Sequence, residues 1–294
     1  MLLLALAIFA AQISAIGAAA NPPAPVQTAA ANTVRRLPEN VFMIKTHSAA
    51  MDIYIPAVVI LPASYSKSDA RYPTVYLLHG HGGNAFSWFG IRPDLQKLAS
   101  LYNIIIVCPD GAVSWYWDSP KKPEQKYETY VSKELVSQID SQYRTIASPS
   151  GRAITGLSMG GHGGLWLGLR HKDTFGACGS TSGGVDIRPF PKNWHIKDAL
   201  GDYSSNGEIW DSHTVMTLVD NLKPDAQAII IDCGTEDFFF GVNEKLHRAL
   251  LDKKIPHDYL TRPGAHNSKY WKNSIQYQLL FFDNFFKAAA ASKN

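Results

Sequence analysis

Short apolar runs alternate along the chain with longer stretches in which apolar residues recur at helical spacing. Residues 41–47 and 50–61 read as two antiparallel strands, the second carrying Met51, Ile53, Ile55, Val58 and Ile60 and interrupted at Pro56. Residues 74–78, 103–107, 175–178, 227–232 and 257–261 are brief and mostly apolar, the form of strands buried on both faces of a parallel sheet. Helical spacing is read at residues 94–101, 243–251 and 268–288. It is read again in a stretch after Thr129 that places Val131, Leu135, Val136, Ile139 and Tyr143 on one face. Residues 186–223 fit neither period and hold Trp194, Trp210 and several prolines and glycines, so they are read as an insertion above the strand ends. This alternation predicts an α/β fold with a mostly parallel central sheet flanked by helices and no large separate lid domain.

Composition narrows the picture. A chain of 294 residues with 46% hydrophobic and 18% charged residues suits one globular catalytic domain, here residues 37–290. A net charge of +3, with no basic run longer than a pair, argues against a nucleic-acid partner. The first 20 residues carry no charge. An apolar run at Leu2–Ala11 is followed by Ala18-x-Ala20, so residues 1–20 are expected to be a signal peptide cleaved near Ala20, giving a secreted or periplasmic protein. That run is short for a membrane span, and no integral span is expected in the mature chain. Residues 21–36 read as a flexible Pro/Ala-rich linker. Cys108, Cys178 and Cys233 sit at or near the ends of apolar runs and are expected as buried thiols. The pair His79-x-His81 lacks a nearby third ligand, so no metal is expected.

The chemistry centres on Ala153-Ile154-Thr155-Gly156-Leu157-Ser158-Met159-Gly160-Gly161, in which an apolar run feeds a Gly-x-Ser-x-Gly turn and then a helix. A serine at the apex of so tight a turn needs neighbours without bulk, which Gly156 and Gly160 provide. A nucleophilic hydroxyl also needs a base and a carboxylate to orient that base. Downstream, a carboxylate loop follows the 227–232 strand and a histidine loop follows the 257–261 strand. His266, in Pro-Gly-Ala-His-Asn, is the best base, because His247 and His257 fall within a helix and a strand. For the acid, Asp237 competes with Asp232 and Glu236. Asp232 still belongs to the strand, which favours Asp237. Oxyanion donors are expected from the backbone N–H of Met159 and of His81, the latter in the loop His79-Gly80-His81-Gly82-Gly83.

Further motifs are Tyr76-Leu77-Leu78-His79-Gly80-His81-Gly82-Gly83, Pro109-Asp110-Gly111, Ser114-Trp115-Tyr116, Asp118-Ser119-Pro120, Tyr127-Glu128-Thr129 and Gly234-Thr235-Glu236-Asp237. With the serine turn and His266 they give a chain that resembles the esterase D-like putative esterase family of the α/β-hydrolases over about residues 40–287. That resemblance implies an α/β-hydrolase fold, with Ser158 as nucleophile, Asp237 as acid and His266 as base. It also implies hydrolysis of short-chain carboxylic esters without a cofactor. Members of that family include acetyl and feruloyl esterases, S-formylglutathione hydrolases and secreted acyltransferases. The chain departs from the family pattern at Trp117, where a smaller residue is usual.

The expected substrate is a small ester or an acylated carbohydrate of the acetyl or feruloyl type. Acyl transfer to a sugar acceptor is one alternative, and a non-catalytic carbohydrate-binding protein on a hydrolase fold is another. S-formylglutathione hydrolysis is disfavoured for an exported protein. Trp88 and Trp117 are expected to contact substrate, and Glu128 to anchor the aromatic loop at residues 114–120. Both a monomer and a homo-oligomer are compatible with the sequence.

Overall fold

A computed structural model of the chain describes residues 35–36, 39–224 and 227–292. The signal-peptide reading at 1–20 lies outside the described residues, as does most of the linker at 21–36. Within that linker only Arg35–Arg36 is described, and it forms a strand.

Among the described residues, nine strands form one sheet in the order β1-β2-β3-β5-β4-β6-β7-β8-β9. They are β1 (Arg35–Arg36), β2 (Val41–Ser48), β3 (Ile53–Ile60), β4 (Thr74–Leu78), β5 (Ile105–Pro109), β6 (Arg152–Gly156), β7 (Ala177–Thr181), β8 (Ala228–Gly234) and β9 (Asp258–Arg262). From β1 through the β3–β5 pair the ladder is antiparallel, and from β5 to β9 it is parallel. The expected interruption at Pro56 does not occur. Pro56 pairs opposite Lys45, and its carbonyl still accepts from the Asp110 amide at 2.9 Å. A proline removes only a donor, so a strand can run through it where that donor is not needed.

The mostly apolar runs form buried strands because both faces of the sheet are covered. Along β4, Tyr76 and Leu78 enter one core while Val75 and Leu77 enter the other. The first core is closed by α4 (Val136–Gln142), α5 (Met159–Arg170) and α9 (Phe240–Asp252), through Ile139, Leu165, Trp166, Val242 and Leu246. The second is closed by α1 (Ser87–Ile91), α2 (Leu95–Tyr102) and α10 (Ser268–Ala291), through Trp88, Leu95, Leu98, Ile275, Leu279 and Phe282.

The helix read after Thr129 is not uniform. α3 (Tyr127–Thr129) passes through a π-helical stretch at Tyr130–Leu135 before continuing as α4. The segment 186–223 is not fully irregular. It contains α6 (Ile196–Leu200), α7 (Gly207–Ser212) and α8 (Val215–Leu218), too short to give a periodic signal. The three cysteines are free and buried.

Candidate active site

The chain leaves β4 to build β5 on one side and later returns to build β6 on the other. Such a reversal opens a crevice at the carboxyl ends of the two central strands. Two loops meet there: residues 79–83 after β4, and the turn at Ser158 between β6 and α5. Ser158 has φ 56° and ψ −119°, a strained conformation for any residue with a side chain. Its amide is fixed by donation to the Thr181 carbonyl at 3.0 Å. The turn closes only without side chains beside it. A Cβ on Gly160 would lie 2.5 Å from the Leu78 carbonyl oxygen, and one on Gly156 would lie 2.5 Å from that of Gly160.

The loops after β8 and β9 bring the other two groups. The Thr235 amide donates to the Arg262 carbonyl at 3.0 Å, and the Glu236 amide to that of Gly264 at 2.9 Å, so the loops run paired. Asn267 then caps α10 by accepting from the Tyr270 amide. This leaves His266, the preceding residue, facing Ser158. His266 Nε2 lies 2.9 Å from Ser158 Oγ, and His266 Nδ1 lies 2.9 and 3.0 Å from the Asp237 carboxylate oxygens. Ionised Asp237 only accepts, so Nδ1 carries the hydrogen and Nε2 presents a lone pair to the hydroxyl. The Asp237 carboxylate is fully buried and also accepts from the Phe239 amide at 2.8 Å.

The competing residues point elsewhere. Asp232 accepts from the Tyr270 hydroxyl at 2.6 Å and pairs with Arg262. Glu236 is exposed. His247 and His257 bond to one another at 2.8 Å.

The 79–83 loop is held through buried His79. Its Nε2 accepts from the Gly111 amide at 2.8 Å, so Nδ1 bears the hydrogen it donates to the Gly80 carbonyl at 2.7 Å. The Tyr116 hydroxyl donates to the His79 carbonyl at 3.1 Å. The neighbouring Gly83 and Gly160 amides have backbone acceptors. Among the described residues no protein acceptor engages the amides of His81 or Met159. Met159 begins α5, where no preceding turn offers a carbonyl.

A cleft of about 480 Å³ surrounds Ser158 and His266, within the range of ligand pockets. Its walls include Gly80, His81, Ser87, Trp194, Phe238 and Trp271. Trp194 stacks on Phe238 with centroids 5.6 Å apart, Phe238 lies 4.2 Å from the His266 ring, and Trp271 stands perpendicular to that ring at 5.0 Å.

Trp88 and Trp117 do not line this cleft, contrary to expectation. Trp88 is 1% exposed and its indole donates to the Leu78 carbonyl at 2.8 Å; Trp117 is wholly buried and donates to His162 Nε2 at 2.9 Å. Both indoles satisfy their polar edge inside the protein. The aromatic residues that do line the cleft carry only a local signal: Phe238 follows Asp237, and Trp271 lies five residues beyond His266. Glu128 anchors the end of α5 rather than the aromatic loop, accepting from Trp166, Arg170 and His171 at 2.9 Å each. Burial works against its ionised form. The bonds from His171, Arg170 and Trp166 outweigh burial and hold the carboxyl down to about 2.

A model of the family described as "Putative esterase" matches residues 48–282. Among curated relatives, an acetyl esterase of Caldicellulosiruptor saccharolyticus is 28% identical, covering 69% of this chain and 80% of the relative. Esterase Rv1288 of Mycobacterium tuberculosis is also 28% identical over 71% of this chain. The match spans only 51% of that relative's length. Among solved structures, a ferulic acid esterase superposes with a TM-score of 0.72 at 26% identity, covering 83% of this chain and 98% of the other.

Proposed function

The chain belongs to the putative esterase family of serine carboxylic ester hydrolases, and we propose that it works through an acyl-enzyme formed on Ser158. Ser158 Oγ attacks the ester carbonyl while His266 Nε2 takes its proton. Asp237 holds the imidazole in the tautomer that presents the Nε2 lone pair to Ser158 and stabilises the imidazolium that follows. The amides of His81 and Met159 receive the developing oxyanion, each supplying about 3 kcal/mol of transition-state stabilisation. The proton returns from His266 to the leaving alkoxide. Water, activated by the same imidazole, then releases the acid and restores Ser158. The observation that carries this reading is the unbroken Asp237–His266–Ser158 hydrogen-bond chain opening onto a cleft.

The substrate class we propose is a short-chain or carbohydrate-linked carboxylic ester of the acetyl or feruloyl type. The named activities of the acetyl esterase and ferulic acid esterase relatives support it, and so does an aromatic cleft wall able to take a small acyl group or a planar ring. The apolar, uncharged residues 1–20 support export. Mass spectrometry of protein recovered outside the cytoplasm should find a mature N-terminus near Asn21.

The test of the chemistry is turnover of 4-nitrophenyl acetate by wild type and by Ser158→Ala. A fall of at least ~10³-fold in kcat is expected, and equal rates would remove the assignment. Acetylated xylan and feruloylated oligosaccharides, assayed in parallel, decide between the two acyl types.

A further inference from the structure

Between β7 and β8 the segment 186–223 brings Trp194 to the cleft wall, with His195 next to it in sequence. Trp194 and His195 both hold left-handed backbone, with φ 49° and 57°. Non-glycine residues in that region cost on the order of 1–3 kcal/mol each and persist only where surrounding contacts fix them. For Trp194 the contacts are evident. Its carbonyl accepts from the Trp115 indole at 3.2 Å, and its ring packs on Phe190, Phe238 and Phe239 with centroids 5.1 to 5.6 Å away. The flanks are tied down as well: Arg188 bonds both Asp186 and Asp211, and the Ser119 hydroxyl donates to the Ala199 carbonyl at 2.9 Å. His195 itself is exposed. Among the described residues its side chain makes one polar contact, at 3.2 Å from His195 Nδ1 to His81 Nε2, with the two rings stacked 5.3 Å apart at 13°.

We propose that His195 is a positioning residue for the esterase reaction, whose side chain holds His81 so that the His81 amide meets the developing oxyanion. The proposal rests on the serine-esterase reading above. The 79–83 loop is secured at its base, where His79 is bonded at both ring nitrogens and at its carbonyl. Its tip has less support. Gly82 adopts φ 74°, and His195 is the only side chain among the described residues that bonds the His81 ring. Placement matters because a donor displaced by about 1 Å can cost about 100-fold in rate. Burial first, then His195 and His79, hold the His81 imidazole below its usual range. Across the contact one ring nitrogen donates and the other accepts.

The test is a double-mutant cycle on kcat for 4-nitrophenyl acetate. Substituting His81 by alanine keeps its amide and removes only the ring. His81→Ala, His195→Ala and the double variant are each expected to lose about tenfold in kcat, with KM within about twofold. Each should also bind a phenylboronic acid, which forms a tetrahedral adduct on Ser158, about tenfold more weakly. A structural role alone would not couple the pair in this way. Unchanged kcat in His195→Ala, losses that multiply in the double variant, or a loss confined to KM would each overturn the proposal. His195→Asn suits left-handed backbone but is too short to reach His81, so it should match His195→Ala. Wild-type kcat in the Asn variant would assign the alanine loss to backbone conformation and overturn the proposal too. Ser158→Ala, run alongside, keeps the two readings apart: wild-type turnover there defeats the esterase reading itself.

Discussion

The Tyr116 hydroxyl donates to the His79 carbonyl at 3.1 Å and so joins the aromatic loop to the base of the loop carrying the His81 amide. Tyr116 is wholly buried and sits at φ 61°, so its ring has little freedom to follow any movement of His79. Tyr116→Phe removes the donor without changing the ring. We expect it to cost about 1 kcal/mol of stability and to lower kcat several-fold with KM nearly constant. Urea denaturation and steady-state kinetics on one preparation check both. A variant that loses stability with unchanged kcat would detach the aromatic loop from catalysis.

Asp237 and Asp232 should separate cleanly. Asp237→Asn removes the group that holds the His266 tautomer and should lower kcat by about 10³–10⁴-fold with little change in melting temperature. Asp232→Asn leaves the Arg262 guanidinium without its buried partner and should cost about 3 kcal/mol of stability. Kinetics at 20 °C on folded protein decide it: a greater kcat loss at position 232 would move the acid there.

Buried His162 gives the fold an acid sensitivity. Burial, partly offset by its bond to the Gly184 carbonyl, pushes its imidazole down from 6.5 to about 3. Between those two values the unfolded chain binds a proton that the folded chain refuses. Its contribution is therefore complete above pH 6.5 and falls by about 1.4 kcal/mol per unit as pH drops towards 3. His162→Gln, which can still accept from Trp117, should flatten the dependence of urea midpoint on pH between 6.5 and 4. An unaltered slope would place the sensitivity elsewhere.

Aromatic side chains at the cleft and in the core should fail differently. Phe238 is 53% exposed beside His266, and Phe238→Ala should raise KM for aryl esters about fivefold, or ~1 kcal/mol, while sparing stability. Trp88→Phe removes the indole donor from the Leu78 carbonyl, which keeps the Leu157 amide at 3.3 Å, and should cost about 1 kcal/mol of stability with KM unchanged. Reversal of these two patterns would restore Trp88 to the substrate site.

The buried strands were legible because their short apolar runs leave few other ways to cover both faces. Ser158, Asp237 and His266 stood out because each needs a loop at the same end of the sheet, and chain order supplied three. The aromatic walls were not legible. Trp88, Trp117 and Trp194 all lie in connections that follow strands, and only three-dimensional packing decides which indole finds an internal acceptor. The His81–His195 contact spans 114 residues and depends on left-handed backbone at 194 and 195, which no local pattern announces.

The pairing of the loops after β8 and β9 has a mechanical consequence. Their shared backbone bonds, at Thr235–Arg262 and Glu236–Gly264, carry the carboxylate and the imidazole on a single two-ply ribbon, while the hydroxyl rides on β6 and α5. Any displacement of that ribbon keeps Asp237 and His266 in step and stretches the His266–Ser158 contact instead. A shift of the ribbon as one body would thus be felt at the proton hand-off, with the orienting bond behind it spared.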